Sequence, residues 1–233
     1  MQKIGFSNGA LYKATDVTRP DAIRAIFSVA PDCIEIYAHD EPGRIDLADD
    51  YCHEVRRFAR RSVHTPTNVR YGINDATAIN LKKINKIYFD IGAELAVVHG
   101  ETVDDWSVFD DSPMQLAIEN GDNRKDVFKD VDSLRNFLID HKNWKMVLDL
   151  NHCFANDPTM KLADDFIKNL GDKIAQIHLS GFAGFHEPLF QTRQSEIVQR
   201  CHRLNVPIII ESVLPNIESL KIEFDYIKDV LQK

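Results

Sequence analysis

The stretch Lys145-Met146-Val147-Leu148-Asp149-Leu150-Asn151-His152 decides how the rest of the chain is read. Its apolar residues do not alternate with polar ones, as expected of a parallel strand covered on both faces. The run closes on an aspartate and a histidine. Asp157-Pro158 then suits a helix cap followed by proline in the first turn, leading into Leu162, Phe166 and Leu170 at helical spacing. This is a βα unit with ligand-type side chains at its junction.

The same unit recurs outward in both directions. Apolar runs lie at Lys3 to Ser7, Cys33 to Ala38, Ser62 to Thr65, Leu95 to His99, Gln115 to Glu119, Ile174 to Leu179 and Pro207 to Glu211, which makes eight in all. Helical patterns separate them at Arg19 to Ser28, Leu47 to Arg60, Asn74 to Ile91, Asp126 to Ile139, Ser195 to Leu204 and Ile217 to Leu231. Strands alternating with helices of this length imply right-handed βαβ units and a parallel sheet. No GxGxxG turn follows any run, which favours a barrel over a doubly wound sheet. The segment between His99 and Gln115 is acidic and poorly periodic. The expectation is an α/β fold, a (β/α)8 TIM barrel with a shortened fourth βα unit, forming one domain over residues 1–233.

Composition narrows the class. A 44% hydrophobic and 27% charged chain is ordinary for a globular protein. The formal net charge of −8 makes a nucleic-acid partner unfavourable without excluding it. The short basic cluster Arg56-Arg57 with Arg60-Arg61 reads as a solvated helix face. Four scattered cysteines without a CxxC pair, no leader pattern and no membrane-length apolar run point to a cytoplasmic setting. Nothing in the sequence calls for an organic cofactor. A small-molecule substrate is expected, and a homo-oligomer is compatible with the sequence.

A barrel builds its site at the C-terminal ends of its strands. There the sequence places His64, His99, Glu119, Asp149, His178 and Glu211, one on each of six consecutive strands. Taken singly, each is more easily a capping or backbone-bonded residue than a ligand; six in a row are not. Imidazole and carboxylate are ligands for Mn, Zn, Co or Fe, and gathering three carboxylates at one mouth without a cation is costly. His152 and His186 face the same end, with His186 balanced between ligand and substrate contact. His39, His53, His141 and His202 fall elsewhere. Cys153 reads as a core thiol and Glu35 as an inward-pointing structural residue. There is no GxSxG, P-loop or HExxH motif.

With this order of ligands the chain resembles the xylose isomerase-like barrels, which include sugar isomerases and epimerases and the endonuclease IV-type enzymes of AP endonuclease family 2. The resemblance spans the whole chain. In its epimerase branch it implies one metal on Glu119, Asp149, His178 and Glu211. Glu119 and Glu211 would then be the catalytic acid/base pair and His152 a substrate contact. In its endonuclease branch it implies a second metal on His64, His99 and Glu119, and a third using His152 and His186. Gly184 stands where that third site has an aspartate. The family's loop after the seventh strand is present only as a variant, Gly181 to Pro188. The reading is therefore a divalent-metal-dependent isomerase or epimerase of a small sugar or polyhydroxylated acid. The alternatives are an endonuclease IV-like phosphodiester hydrolase and a barrel that binds without turnover.

Overall fold

The computed structural model describes residues 2–38 and 49–233. Eight parallel strands close on themselves, each paired with the next and the last with the first. They are β1 (Ile4–Ser7), β2 (Cys33–Tyr37), β3 (Arg60–His64), β4 (Leu95–His99), β5 (Leu116–Glu119), β6 (Lys145–Asp149), β7 (Ile174–Leu179) and β8 (Ile208–Ile210). The helices among the described residues are α1 (Pro20–Val29), α2 (Asp49–Arg56), α3 (Asp75–Ile91), α4 (Val131–Asp140), α5 (Leu150–Asn156), α6 (Lys161–Leu170), α7 (Leu189–Thr192), α8 (Ser195–Gln199) and α9 (Ser219–Leu231). None is long and apolar enough to cross a membrane.

Local chemistry sets several of these bounds. Proline opens α1, and the Asn74 side chain caps α3 by accepting from Thr77 N, with left-handed Gly92 ending it. Gly5 is required by closeness: a Cβ there would sit 1.8 Å from the Cys33 carbonyl oxygen.

The main core fills the space between the barrel and its helices. A smaller apolar group, Leu95, Val97, Ala117 and Val147, fills part of the barrel interior. Polar side chains share that interior, with Glu35, Ser62 and Gln176 buried.

Four expectations are corrected. The helix read from Leu47 to Arg60 ends at Arg56, and its beginning lies outside the described residues, as does His39. Arg60 and Arg61 are not on a helix face. They open β3 at the lower rim, where Arg60 pairs with Glu94 and Arg61 donates to the Gly92 carbonyl. The strand read to Leu150 stops at Asp149, which caps the unforeseen α5 by accepting from His152 N at 2.9 Å. The helix read from Asp126 begins at Val131, capped by Asp130.

The fourth βα unit is short, as expected, with 3-10 turns at Gly100–Thr102 and Trp106–Phe109 in place of a helix. An aromatic cluster closes the gap. The Trp106 ring lies 4.6 Å from Phe137 and 5.6 Å from Trp144, and Phe109 lies 5.6 Å from Trp144. Large rings cover a surface there that a helix would otherwise cover.

Candidate metal centre

Strand register explains why six ligand-type side chains converge. His99 is level with Glu119 and Asp149 with His178. At the intervening steps, His64 pairs with Val97, Glu119 with Val147 and His178 with Ile209, each two residues short of the next polar side chain. Steps of two preserve the inward face, because side chains alternate along a strand. One irregularity is essential. Between β6 and β7 the register slips at Met146/Val147, leaving Ala175 as an extra residue and turning Gln176 and His178 inward.

The imidazoles are then aimed by their far nitrogens. His64 Nδ1 lies 2.8 Å from the Thr65 carbonyl, which can only accept, so that nitrogen carries the proton. His99 Nδ1 meets Glu101 Oε1 at 3.1 Å, and His178 Nε2 meets Glu35 Oε2 at 3.2 Å. The other nitrogens converge on one carboxylate oxygen. Glu119 Oε2 is 3.4 Å from His64 Nε2, 3.1 Å from His99 Nε2 and 3.3 Å from His178 Nδ1. His178 Nδ1 is also 3.4 Å from Glu211 Oε1. Imidazoles held from behind by carbonyls and carboxylates are characteristic of metal ligands.

On the far side, His152 Nδ1 lies 2.8 Å from the Asn120 carbonyl, and its Nε2 faces Asp149 Oδ2 at 3.5 Å. His152 sits in the first turn of α5, not on a strand. His186 Nδ1 bonds Ser180 Oγ at 2.9 Å and stands 3.9 Å from Glu211 Oε2. The structure thus brings together Glu119, Asp149, His178, Glu211, His64, His99, His152 and His186. His53, His141 and His202 lie outside this cluster. Cys153 is buried beside it, with Asn120 Nδ2 3.7 Å from its sulfur.

The residues fit divalent ions. Glu119 Oε2, Asp149 Oδ2, His178 Nδ1 and Glu35 Oε1 are buried without a hydrogen-bond partner, a cost that cation coordination removes. Four overlapping groups have ligand atoms within 4.8 Å of one another: Glu35-His64-His178-Glu211, His64-His99-Glu119, Glu119-Asp149-His178 and Asp149-His186-Glu211. Electrostatics agree. Burial alone would lower His99, but the Glu119 and Glu101 carboxylates prevail and raise it to about 10. Burial opposes ionisation of Glu119 too, yet His99 and His178 hold it well below the usual carboxylate range. Glu211 goes the other way, pushed well above that range by burial despite His178, with Glu119 and Glu35 adding to the rise.

The sequence reading left out the anchoring residues. Glu101 and Ser180 sit just beyond strand ends and orient His99 and His186. Glu35, taken as structural, contacts His178 directly. Asp122 is fully buried, with Oδ2 3.9 Å from His152 Nε2. A cavity of about 650 Å³ opens above the cluster, with Tyr12, Tyr37, Phe185, Arg124 and Lys125 among its lining residues.

No family model and no curated protein matches the sequence. Solved structures do match in shape. Endonuclease IV from Thermus thermophilus superposes with a TM-score of 0.71 at 15% identity, covering 99% of both chains. The probable 3-DHS dehydratase AsbF from Bacillus anthracis gives 0.71 at 15% identity, covering 100% of this chain and 99% of the other. The 3-keto-D-glucoside 4-epimerase from E. coli gives 0.69 at 10% identity over all of both chains. The chain has the fold of the xylose isomerase-like barrels. Within that fold the neighbours carry different activities, so the xylose isomerase-like shape leaves the reaction to be argued from the site.

Proposed function

We propose that this chain is a divalent-metal-dependent phosphodiester hydrolase with a centre of at least two ions. One observation carries this reading: Glu119 Oε2 faces three imidazole nitrogens, from His64, His99 and His178. A single ion on Glu119, Asp149, His178 and Glu211 would leave His64 and His99 unused, with nitrogens 3.1 Å apart. With a second ion on His64, His99 and Glu119, Glu119 becomes a shared ligand. Bound ions would supply Lewis-acid polarisation of a phosphoryl oxygen and a lowered pKa for water. The chain's own part is orientation. Thr65, Glu101, Asn120 and Glu35 fix the rings, and Glu211, more solvent-accessible than Glu119, is placed to pass a proton to a departing oxygen.

An isomerase or epimerase is the second reading. It is favoured by Glu119 and Glu211 standing on either side of His178, 3.3 and 3.4 Å from its Nδ1, with the first displaced below and the second above the usual carboxylate range. Metal content of protein purified without chelator separates the two, followed by assays on bis(p-nitrophenyl) phosphate and on a ketose panel in deuterated water. Two or more ions with phosphodiester cleavage support hydrolysis. One ion with carbon-bound deuterium uptake supports the second reading, and a protein that takes up no ion at all sinks both.

A further inference from the structure

The chain is acidic overall, and the floor of the cavity is lined with carboxylates, yet two cations stand at its mouth on one loop. Arg124 and Lys125 lie between β5 and α4. Lys125 is paired with Glu101. Arg124 is held differently. Its Nε donates to Asp122 Oδ2 at 2.7 Å and Nη2 donates to the same oxygen, while Asp122 Oδ1 accepts from Arg124 N at 2.9 Å. One edge of the guanidinium is therefore fixed by a fully buried carboxylate, and Nη1 has no hydrogen-bond partner among the described residues.

The loop that carries it is pinned at several points. Gly121 N donates to the Phe128 carbonyl at 3.0 Å, Asn156 Nδ2 to the Gly121 carbonyl at 2.9 Å, and Asn123 Nδ2 to the Ala155 carbonyl at 3.3 Å. Phe128 lies so close over Gly100 that a Cβ there would come within 2.2 Å of its ring. Across the mouth, the Phe185 ring stands 5.9 Å from the Arg124 guanidinium. A planar fork, immobilised before binding, loses little freedom when it takes an oxyanion.

We propose that Arg124 is the specificity residue of this cavity and receives an oxyanion of the substrate, phosphate or carboxylate, so that the substrate is an anion and not a neutral polyol. The inference rests on the cavity being the substrate site, and it holds for either chemistry there. Asp122 is the positioning residue that presents the guanidinium.

The test is calorimetric titration of inorganic phosphate, malonate and xylitol into wild type, Arg124→Gln and Arg124→Lys, with metal content measured on every sample and a parallel series on chelator-stripped protein. Arg124→Lys keeps a counter-ion beside Asp122, guarding against a loss that comes only from an unpaired buried carboxylate. The expected result is that wild type binds at least one anion in preference to xylitol. Arg124→Gln should then weaken that anion about 10–100-fold at unchanged metal content, with Arg124→Lys in between. Loss confined to phosphate or to malonate identifies the group. Equal anion affinity in wild type and Arg124→Gln, xylitol binding as tight as the anions, or no binding of any probe overturns the proposal. A metal count below two in wild type with the Arg124 effect intact would instead count against the two-ion centre alone.

Discussion

His64 Nε2 and His99 Nε2 lie 3.1 Å apart, while the far nitrogen of each ring is already engaged with Thr65 and Glu101. Two lone pairs at that separation repel, so the pair needs a proton or a cation. If the cation is a metal, His99→Ala should remove about one ion per chain and leave the ion on Glu119, Asp149 and His178 in place. Elemental analysis of both proteins reads this directly. An unchanged metal complement in the variant would show that the two rings are not ligands.

The metal-free protein has a pH signature with a definite sign. His99 is raised from 6.5 to about 10, because the Glu119 and Glu101 carboxylates outweigh its burial. A histidine raised on folding stabilises fully below its unfolded value and loses that stabilisation as pH climbs through the folded one. Chelator-stripped protein should therefore lose stability between about pH 6.5 and 10. Metal-loaded protein should lack this alkaline loss, since the ion replaces the proton. Urea midpoints across that range, with and without metal, decide it. Loading at neutral pH should also release protons, seen as a buffer-dependent binding enthalpy.

Glu119 and Glu211 should separate in mutagenesis. Glu119 faces four imidazoles, those of His64, His99 and His178 through Oε2 and that of His152 through Oε1, whereas Glu211 faces His178 and, at 3.9 Å, His186. Glu119→Gln should weaken both ions. Glu211→Gln should keep the ion on His64, His99 and Glu119 while lowering kcat about 10²–10⁴-fold, the range for a lost acid or base. Metal stoichiometry alongside turnover distinguishes the two variants, and identical stoichiometry would undo the assignment of Glu119 as the shared ligand.

The cluster around Trp106 should carry measurable stability because β4 is followed by 3-10 turns and no α-helix. Trp106→Ala removes ring contacts to Phe109, Phe128, Phe137 and Trp144 together. A partly buried ring in this setting is worth about 2–3 kcal/mol. Urea unfolding should show that loss with the metal complement intact, and a change below about 0.5 kcal/mol would mean the loop is held by its backbone bonds.

The barrel was legible because eight apolar runs survive as strands, and the convergence of the candidate ligand side chains was legible because strand ends have a fixed position in such a fold. What escaped has physical reasons. Leu150 continues the apolar run of β6, so periodicity could not show that Asp149 ends the strand and caps α5. Arg60 and Arg61 look helical beside Arg56 and Arg57, yet they start a strand whose first residues lie at the solvent-exposed rim. The aromatic cluster joins residues from separate elements, a proximity no local pattern encodes. The anchors of His64 and His152 are the carbonyls of Thr65 and Asn120, and a carbonyl has no sequence signature. The Ala175 slip that turns His178 inward was invisible for the same reason: register belongs to a pair of strands.

Glu35 offers the sharpest test of how the centre is held. Its Oε2 accepts from Ser62 Oγ at 2.9 Å and Gln176 Nε2 at 2.7 Å, and lies 3.2 Å from His178 Nε2. A carboxylate there favours the proton on His178 Nε2 and leaves Nδ1 free toward Glu119 and Glu211. Glutamine could present an amide N–H instead and move the ring proton to Nδ1, where it competes with the ion. Glu35→Gln should therefore lower metal affinity about 10–100-fold without changing the number of ions bound at saturation. A lost ion at saturation would make Glu35 itself a ligand, as its grouping with His64, His178 and Glu211 also allows. Unchanged affinity would mean that Gln176, whose Nε2 lies 2.9 Å from His178 Nε2, is enough to set the ring. Competitive titration against a chromophoric chelator gives affinity and stoichiometry in one experiment, so the three outcomes do not overlap.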